Sequence, residues 1–140
     1  MKRFSLILVA TALLTGCQTP ARQAWVRSEI YFGQSIPGGE SIAPADWQAF
    51  LEETVTPQFP SGLTVYDTSG QWRNAAGHTD REPSKVLVLL HPPDHELESR
   101  IDAIRAEYCR RFKQEAVLKV TSKVLVAFQP PARNPNRLVP

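Results

Sequence analysis

The 140-residue chain has no glycine-rich phosphate loop, no nucleophile elbow and no paired-cysteine motif. Phosphate cradling, hydrolase-type acyl transfer and dithiol redox chemistry therefore have no signature here. There is no internal repeat, and no run of the roughly 20 apolar residues that a membrane-crossing helix needs. An excess of one charge is also lacking. Sixteen basic residues stand against 14 acidic ones, and removing Lys2 and Arg3 at the basic start leaves 14 against 14. A neutral domain carries no electrostatic footprint for nucleic acid. The basic cluster Arg110, Arg111 and Lys113 reads as a helix C-terminus, where cations complement the macrodipole, in preference to a basic patch. What remains is 42% apolar residues, adequate for a core, and 12 prolines gathered near element ends and in the tail.

The first residues have an address pattern. Met1-Lys2-Arg3 is basic, Phe4 to Leu14 is uncharged and mostly apolar, and Thr15-Gly16-Cys17 closes the run with small residues. The run is too short for a span and fits a cleaved leader. Leu14-Thr15-Gly16-Cys17 resembles the lipobox of bacterial lipoproteins. The resemblance implies diacylglyceryl attachment at the Cys17 sulfur, cleavage after Gly16 and acylation of the new amine. Several acyl chains hold a protein on a membrane where one is marginal. Gln18, in place of Asp, resembles the outer-membrane sorting pattern and implies a periplasm-facing anchor. Residues 1–16 are thus expected to be a signal peptide, 17–24 a lipidated N-terminus and spacer, 25–128 one domain, and 129–140 a proline-rich tail. With Cys17 lipidated, Cys109 has no partner for an intrachain disulfide. Its place on the flank of an apolar helical stripe predicts a half-buried structural thiol.

Within the domain, Trp25 to Phe32 reads as a strand with Val26, Ser28, Ile30 and Phe32 on one face and Arg27, Glu29 and Tyr31 on the other. Pro37-Gly38-Gly39 ends that segment. Pro44 to Val55 reads as a helix, with Trp47, Phe50, Leu51, Thr54 and Val55 on one stripe. Pro57 and Pro60 stop it. Leu63 to Thr68 and Lys85 to His91 are further strands, joined by a long polar arm with Asn74-Ala75-Ala76-Gly77 at its tip. A type I turn with a left-handed glycine there sets Trp72 opposite Asp80, Gly70 opposite Glu82, Asp67 opposite Lys85 and Val65 opposite Leu87. Asp94 is placed to cap a second helix bearing Leu97, Ile101, Ile104, Tyr108 and Phe112, with Glu96 and Arg100 an i, i+4 pair. Val117–Val120 and Val124–Phe128 complete the domain, as a strand with a possible break at Thr121-Ser122.

The order strand, helix, strand, strand, helix, strand predicts an α+β, ferredoxin-like domain: an antiparallel four-stranded sheet with both helices on one face. Val86 to Leu90 and Val124 to Phe128 are apolar on both faces, whereas a sheet with one wet face should alternate. A covering for the second face is expected, from a second subunit, the tail or a ligand, and a face-to-face homodimer is the preferred reading.

Several stretches stand out in order: Ser28-Glu29-Ile30-Tyr31-Phe32-Gly33, Trp47 to Leu51 with Val55-Thr56-Pro57, Phe59 to Val65, Gln71-Trp72-Arg73, Arg81 to Lys85, and Tyr108 to Phe112 with Gln114-Glu115. Together they resemble the bacterial family called domain of unknown function 3574. The resemblance implies a small, exported, often lipid-anchored domain. It implies no reaction, so no catalytic residue and no cofactor are assigned.

The polar set Tyr31, Gln71, Trp72, Arg73, Glu82, Ser84 and Lys85 is the candidate ligand-binding group. Arg73 and Lys85 offer charge to an anion, Trp72 a stacking face, and Gln71 and Ser84 hydrogen bonds. An acid–base reading pairs Glu82 with Lys85 or Tyr31. The structural alternative makes Asp67–Lys85 a cross-strand ion pair and has Arg73 and Glu82 order the arm. His91, Asp94 and His95 have metal-ligand chemistry, but Asp94 is better used as a cap and no further ligand cluster accompanies them, so no metal is assigned. The expectation is a membrane-anchored, non-catalytic binding or interaction module. The alternative is a small cofactor-free enzyme acting on an anionic or aromatic small molecule.

Overall fold

The computed structural model describes residues 23–36, 39–73 and 76–128. The expected leader and Cys17 anchor, Pro37-Gly38, Asn74-Ala75 of the expected turn and the expected tail from Gln129 lie outside the described residues. All the strands and helices described fall within the compact unit Arg22–Val126.

Its elements are β1 (Gln23–Gly33), α1 (Pro44–Phe50) running into a π-helical turn (Leu51–Val55), β2 (Thr64–Arg73), β3 (Thr79–His91), α2 (His95–Phe112) and β4 (Leu118–Val126). The sheet order is β2-β3-β1-β4, and every pairing is antiparallel. This is the ferredoxin-like α+β fold.

Strand β1 alternates as its sequence requires: Val26, Ser28, Ile30 and Phe32 are buried, while Arg27, Glu29 and Tyr31 are half-exposed. The buried face meets both helices in one core. Phe32, Trp47, Phe50, Tyr108 and Phe112 form its aromatic centre, with ring centroids 4.5 Å apart for Phe32–Tyr108 and 5.1 Å for Phe50–Tyr108. Tilted and edge-on contacts of this kind contribute beyond the area they bury.

Helix ends follow local chemistry. Asp94 accepts from the backbone N–H of Glu96 at 2.6 Å and of Leu97 at 3.3 Å, satisfying two donors of the first turn of α2. Lys113 ends the helix in the left-handed conformation (φ 52°). At the end of α1 the helix widens: Thr56 N–H reaches back to Leu51 O at 2.8 Å. The helix expected over Pro44–Val55 is therefore α-helical only to Phe50, and its last turn is π.

The β2–β3 ribbon is longer than its apolar segments. Pairing continues through the polar arm to Arg73 opposite Thr79, and Pro83 sits inside β3 opposite Ser69. All four register pairs expected from the turn chemistry occur: Val65–Leu87, Asp67–Lys85, Gly70–Glu82 and Trp72–Asp80. Gly77 has φ 83°, as that turn requires. Strand β4 is continuous through Thr121-Ser122.

The sheet face away from the helices is uncovered among the described residues. Tyr66 (52% exposed), Leu90, Leu118 (59% exposed) and Val120 lie on it, while Val86 and Val88 at its centre are buried. In the register Val86 is flanked by Tyr31 and Tyr66, and Val88 by Glu29 and Thr64.

Candidate functional site

The polar chemistry gathers where β1 runs out over α2. Tyr108, in the apolar stripe of α2, is completely buried, and its hydroxyl donates to Gly33 O at 2.7 Å. The same oxygen accepts from Gln34 Nε2 at 2.9 Å, and Gln34 Nε2 also donates to Phe32 O at 3.1 Å. Ser84 Oγ donates to Phe32 O at 3.2 Å. Glu82 Oε2 accepts from Ser35 N–H at 3.0 Å, and Gln114 Nε2 donates to Ser35 O at 2.6 Å. A Cβ at position 33 would lie 2.6 Å from Glu82 Oε1, so glycine is what admits this carboxylate. Burial pushes the Tyr108 hydroxyl pKa far up, which keeps it a donor.

The candidate binding residues divide between two faces. Register puts Gln71, Arg73 and Lys85 on the helix-side face, and Tyr31, Glu82 and Ser84 on the opposite face. Trp72 stands opposite Asp80 in the ribbon. Tyr31 is aligned with Val86 and Arg73 with Thr79, a separation of roughly 23 Å along β3 at about 3.3 Å per residue. Tyr31, Gln71, Glu82, Ser84 and Lys85 each meet a partner of their own. Tyr31 donates to Glu29 Oε2 at 3.0 Å, and that bond, foremost, raises its hydroxyl pKa. Lys85 is ion-paired with Asp67, as the structural alternative expects. Gln71 Oε1 accepts from Arg81 Nε at 3.2 Å. Glu82 is held by Ser35, which differs from the expected Arg73–Glu82 contact: Gly70 opposite Glu82 offers no side chain, and Gly33 leaves room on the sheet side. Arg73, at the far end of β2, is exposed.

Glu82 and Gln71 do share an open groove of about 560 Å³ along the ribbon, lined by Thr68, Ser69, Gly70, Gln71, Arg81, Glu82 and Pro83. Glu82 is thus the residue common to the groove and the polar cluster.

Of two further networks, one joins β3 to β1 and the other joins β4 to α2. His91 is buried; its Nδ1 lies 2.8 Å from Pro92 O, so this nitrogen carries a proton, and its Nε2 lies 3.0 Å from Ser28 Oγ. Ser28 is completely buried and so out of reach of a substrate. Lys119 on β4 donates to Glu98 Oε2 (3.0 Å) and Asp102 Oδ1 (2.8 Å) on α2. The Lys119 hydrogen bond, chiefly, lowers the Asp102 pKa. Cys109 is half-buried against the core, and Arg110 and Arg111 occupy the last turn of α2, paired with Glu107 and Glu53.

Sequence reasoning missed the Tyr108–Gln34–Gly33 contact. The one signal was a tyrosine in a stripe otherwise aliphatic or phenylalanine, since a buried hydroxyl requires a partner.

A family profile described as "Protein of unknown function (DUF3574)" matches residues 27–128. The chain belongs to this family. The matched segment takes in both helices and all four strands but for the start of β1, and so includes the whole DUF3574 polar cluster. No curated protein matches the chain. Among solved structures, a phage SAM lyase in complex with S-methyl-5'-thioadenosine is similar at TM-score 0.58 and 12% identity, covering 81% of this chain and 97% of the lyase. The apo phage SAM lyase gives TM-score 0.56 at 13% identity, covering 76% and 90%. CutA from Synechococcus elongatus gives 0.52 at 9% identity, covering 79% and 87%. At such identities the likeness is one of fold.

Proposed function

We propose that this DUF3574 chain is a lipid-anchored, non-catalytic interaction module of the bacterial envelope, tethered through Cys17 in the outer membrane facing the periplasm. Its partner is a second copy of itself, met through the sheet. The observation that carries the reading is the uncovered sheet face, where Tyr66, Leu90, Leu118 and Val120 leave apolar area in water. The anchor is supported by the Leu14-Thr15-Gly16-Cys17 lipobox after a basic start and a short apolar run. Tethering also favours self-association, because it concentrates copies on one surface.

A second reading, a small cofactor-free enzyme, is favoured by one observation: the ribbon groove with Glu82 in its wall. Against it stand the division of Tyr31, Arg73, Glu82 and Lys85 between faces and the local bonding of three of the four.

The test is palmitate labelling with membrane fractionation, followed by amine cross-linking in the isolated membranes. The full chain should carry label, sediment with membranes and give cross-linked multimers. Cys17→Ser should lose the label and leave the membrane fraction. An unlabelled wild-type chain would refute the anchor. A labelled chain that stays monomeric in the membrane, or that captures a different protein instead, would refute self-association.

A further inference from the structure

The placement of the exposed apolar residues indicates how copies meet. On the uncovered face one of the two middle strands, β1, is polar: Arg27 is ion-paired with Glu29 at 2.7 Å, and Glu29 accepts from Tyr31. A flat stack of two faces would bury that stripe, with its charges, at a large desolvation cost. Most of the exposed apolar side chains lie instead on the two edge strands: Tyr66 on β2, and Leu118, Val120 and Leu125 on β4. Both edges are open among the described residues, over ten residues of β2 and nine of β4. An open edge presents a row of unpaired backbone groups ready for another strand.

The two edges also match each other. Strands β2 and β4 run in opposite directions in the sheet, so β2 of one copy can receive β4 of the next in antiparallel fashion. One register stands out. With Asp67 opposite Lys123 of the next copy, Tyr66 falls opposite Val124, Val65 opposite Leu125, and Ser69 opposite Thr121. Unlike charges meet on the helix side and apolar side chains meet on both sides. Asp67 and Lys123 are both exposed. Pairing β4 with β4 instead, with both helix layers on one side, would set Lys123 of each copy against a strand that carries no acidic residue, so no unlike charge would meet it.

We infer that DUF3574 copies associate head to tail, the β2 edge of one pairing with the β4 edge of the next, with Asp67 facing Lys123. Such a contact is heterologous, so repeating it closes a ring once the turn per copy completes a circle. The inference rests on the proposed self-association and fixes its geometry.

The test is thiol cross-linking of the full-length chain in membranes, in a Cys109→Ala background, using Ser69→Cys and Thr121→Cys. Both side chains are exposed, so folding is left intact. Directly opposed residues of antiparallel strands have Cα atoms about 4.5–5.5 Å apart, within disulfide reach. Co-expression of the two single variants should give a bridged pair, and neither variant alone should bridge with itself. Both substitutions in one chain should give a ladder ending in a closed species. Independently, Lys123→Glu should weaken association about tenfold by setting like charges opposite each other, and adding the swap Asp67→Lys with Lys85→Asp, which keeps the cross-strand ion pair, should restore it. Multimers by amine cross-linking without a Ser69–Thr121 bridge, or with either single variant bridging to itself, would overturn the head-to-tail geometry while leaving self-association standing. Monomers in both assays would overturn both.

Discussion

Replacing Tyr108 by Phe isolates one hydrogen-bonded oxygen in an otherwise apolar core. The ring would keep its contacts with Phe32, Phe50 and Phe112, at centroid distances of 4.5, 5.1 and 4.8 Å. Two bonds are lost: the donation to Gly33 O (2.7 Å) and the acceptance from Gln34 Nε2 (2.9 Å). A net intramolecular hydrogen bond contributes about 1 kcal/mol, and a buried polar group stripped of its partner costs about 1–3 kcal/mol. Gln34 Nε2 keeps its bond to Phe32 O, so its loss is partial, whereas Gly33 O loses the donor that the Tyr108 hydroxyl supplies. The expected loss is about 2 kcal/mol, or roughly 10 °C in Tm for a domain of this size. Tyr108→Ala adds a cavity and should cost about 3–5 kcal/mol. Urea unfolding followed by circular dichroism gives both values. A Tyr108→Phe loss under about 0.5 kcal/mol would refute the assigned role of the hydroxyl. So would a loss equal to that of Tyr108→Ala, because the ring and its oxygen would then not be separable. Because burial keeps the hydroxyl protonated, the difference between wild type and Tyr108→Phe should persist through mildly alkaline pH.

Gly33→Ala should push the Glu82 carboxylate off Ser35 N–H and cost about 1–2 kcal/mol, whereas in a Glu82→Ala background the same change should cost much less; a double-mutant cycle on urea midpoints reads the coupling. Asp94→Ala should lower stability by about 1 kcal/mol and Asp94→Asn by less, since asparagine still caps. Because the Asp102 pKa is lowered in the folded state, its contribution is present above the ordinary carboxylate value of 3.8 and fades as pH falls below it. Asp102→Asn should therefore flatten the acid limb of the stability profile, and an unchanged limb would contradict the Lys119 assignment.

The fold was legible because three independent signals agreed. Alternation in β1 set its faces, i, i+3, i+4 spacing set the helical stripes, and the glycine that ends the hairpin turn fixed the β2–β3 register before any contact was known. The π turn at Leu51–Val55 was not legible, since a widened turn preserves much the same apolar stripe. Site chemistry was less legible still. Gln71, Arg73 and Glu82 are near one another in sequence or across the ribbon, and sequence proximity hid the pleat that sends Gln71 and Arg73 to one face and Glu82 to the other. The Glu82–Ser35 bond joins segments 47 residues apart, and no local pattern encodes it. Asp67–Lys85 was readable because both the register and the charges pointed to it.

Strand β1 lies between β3 and β4, so the first strand of the domain has one of its two neighbours in the last. A chain made from its N-terminus cannot complete this sheet until Val126 has emerged. Until then, β1 keeps a bare edge along most of its length, open to any extended segment nearby. Loss of the final strand would remove a rim and turn β1, a central strand, into a new one.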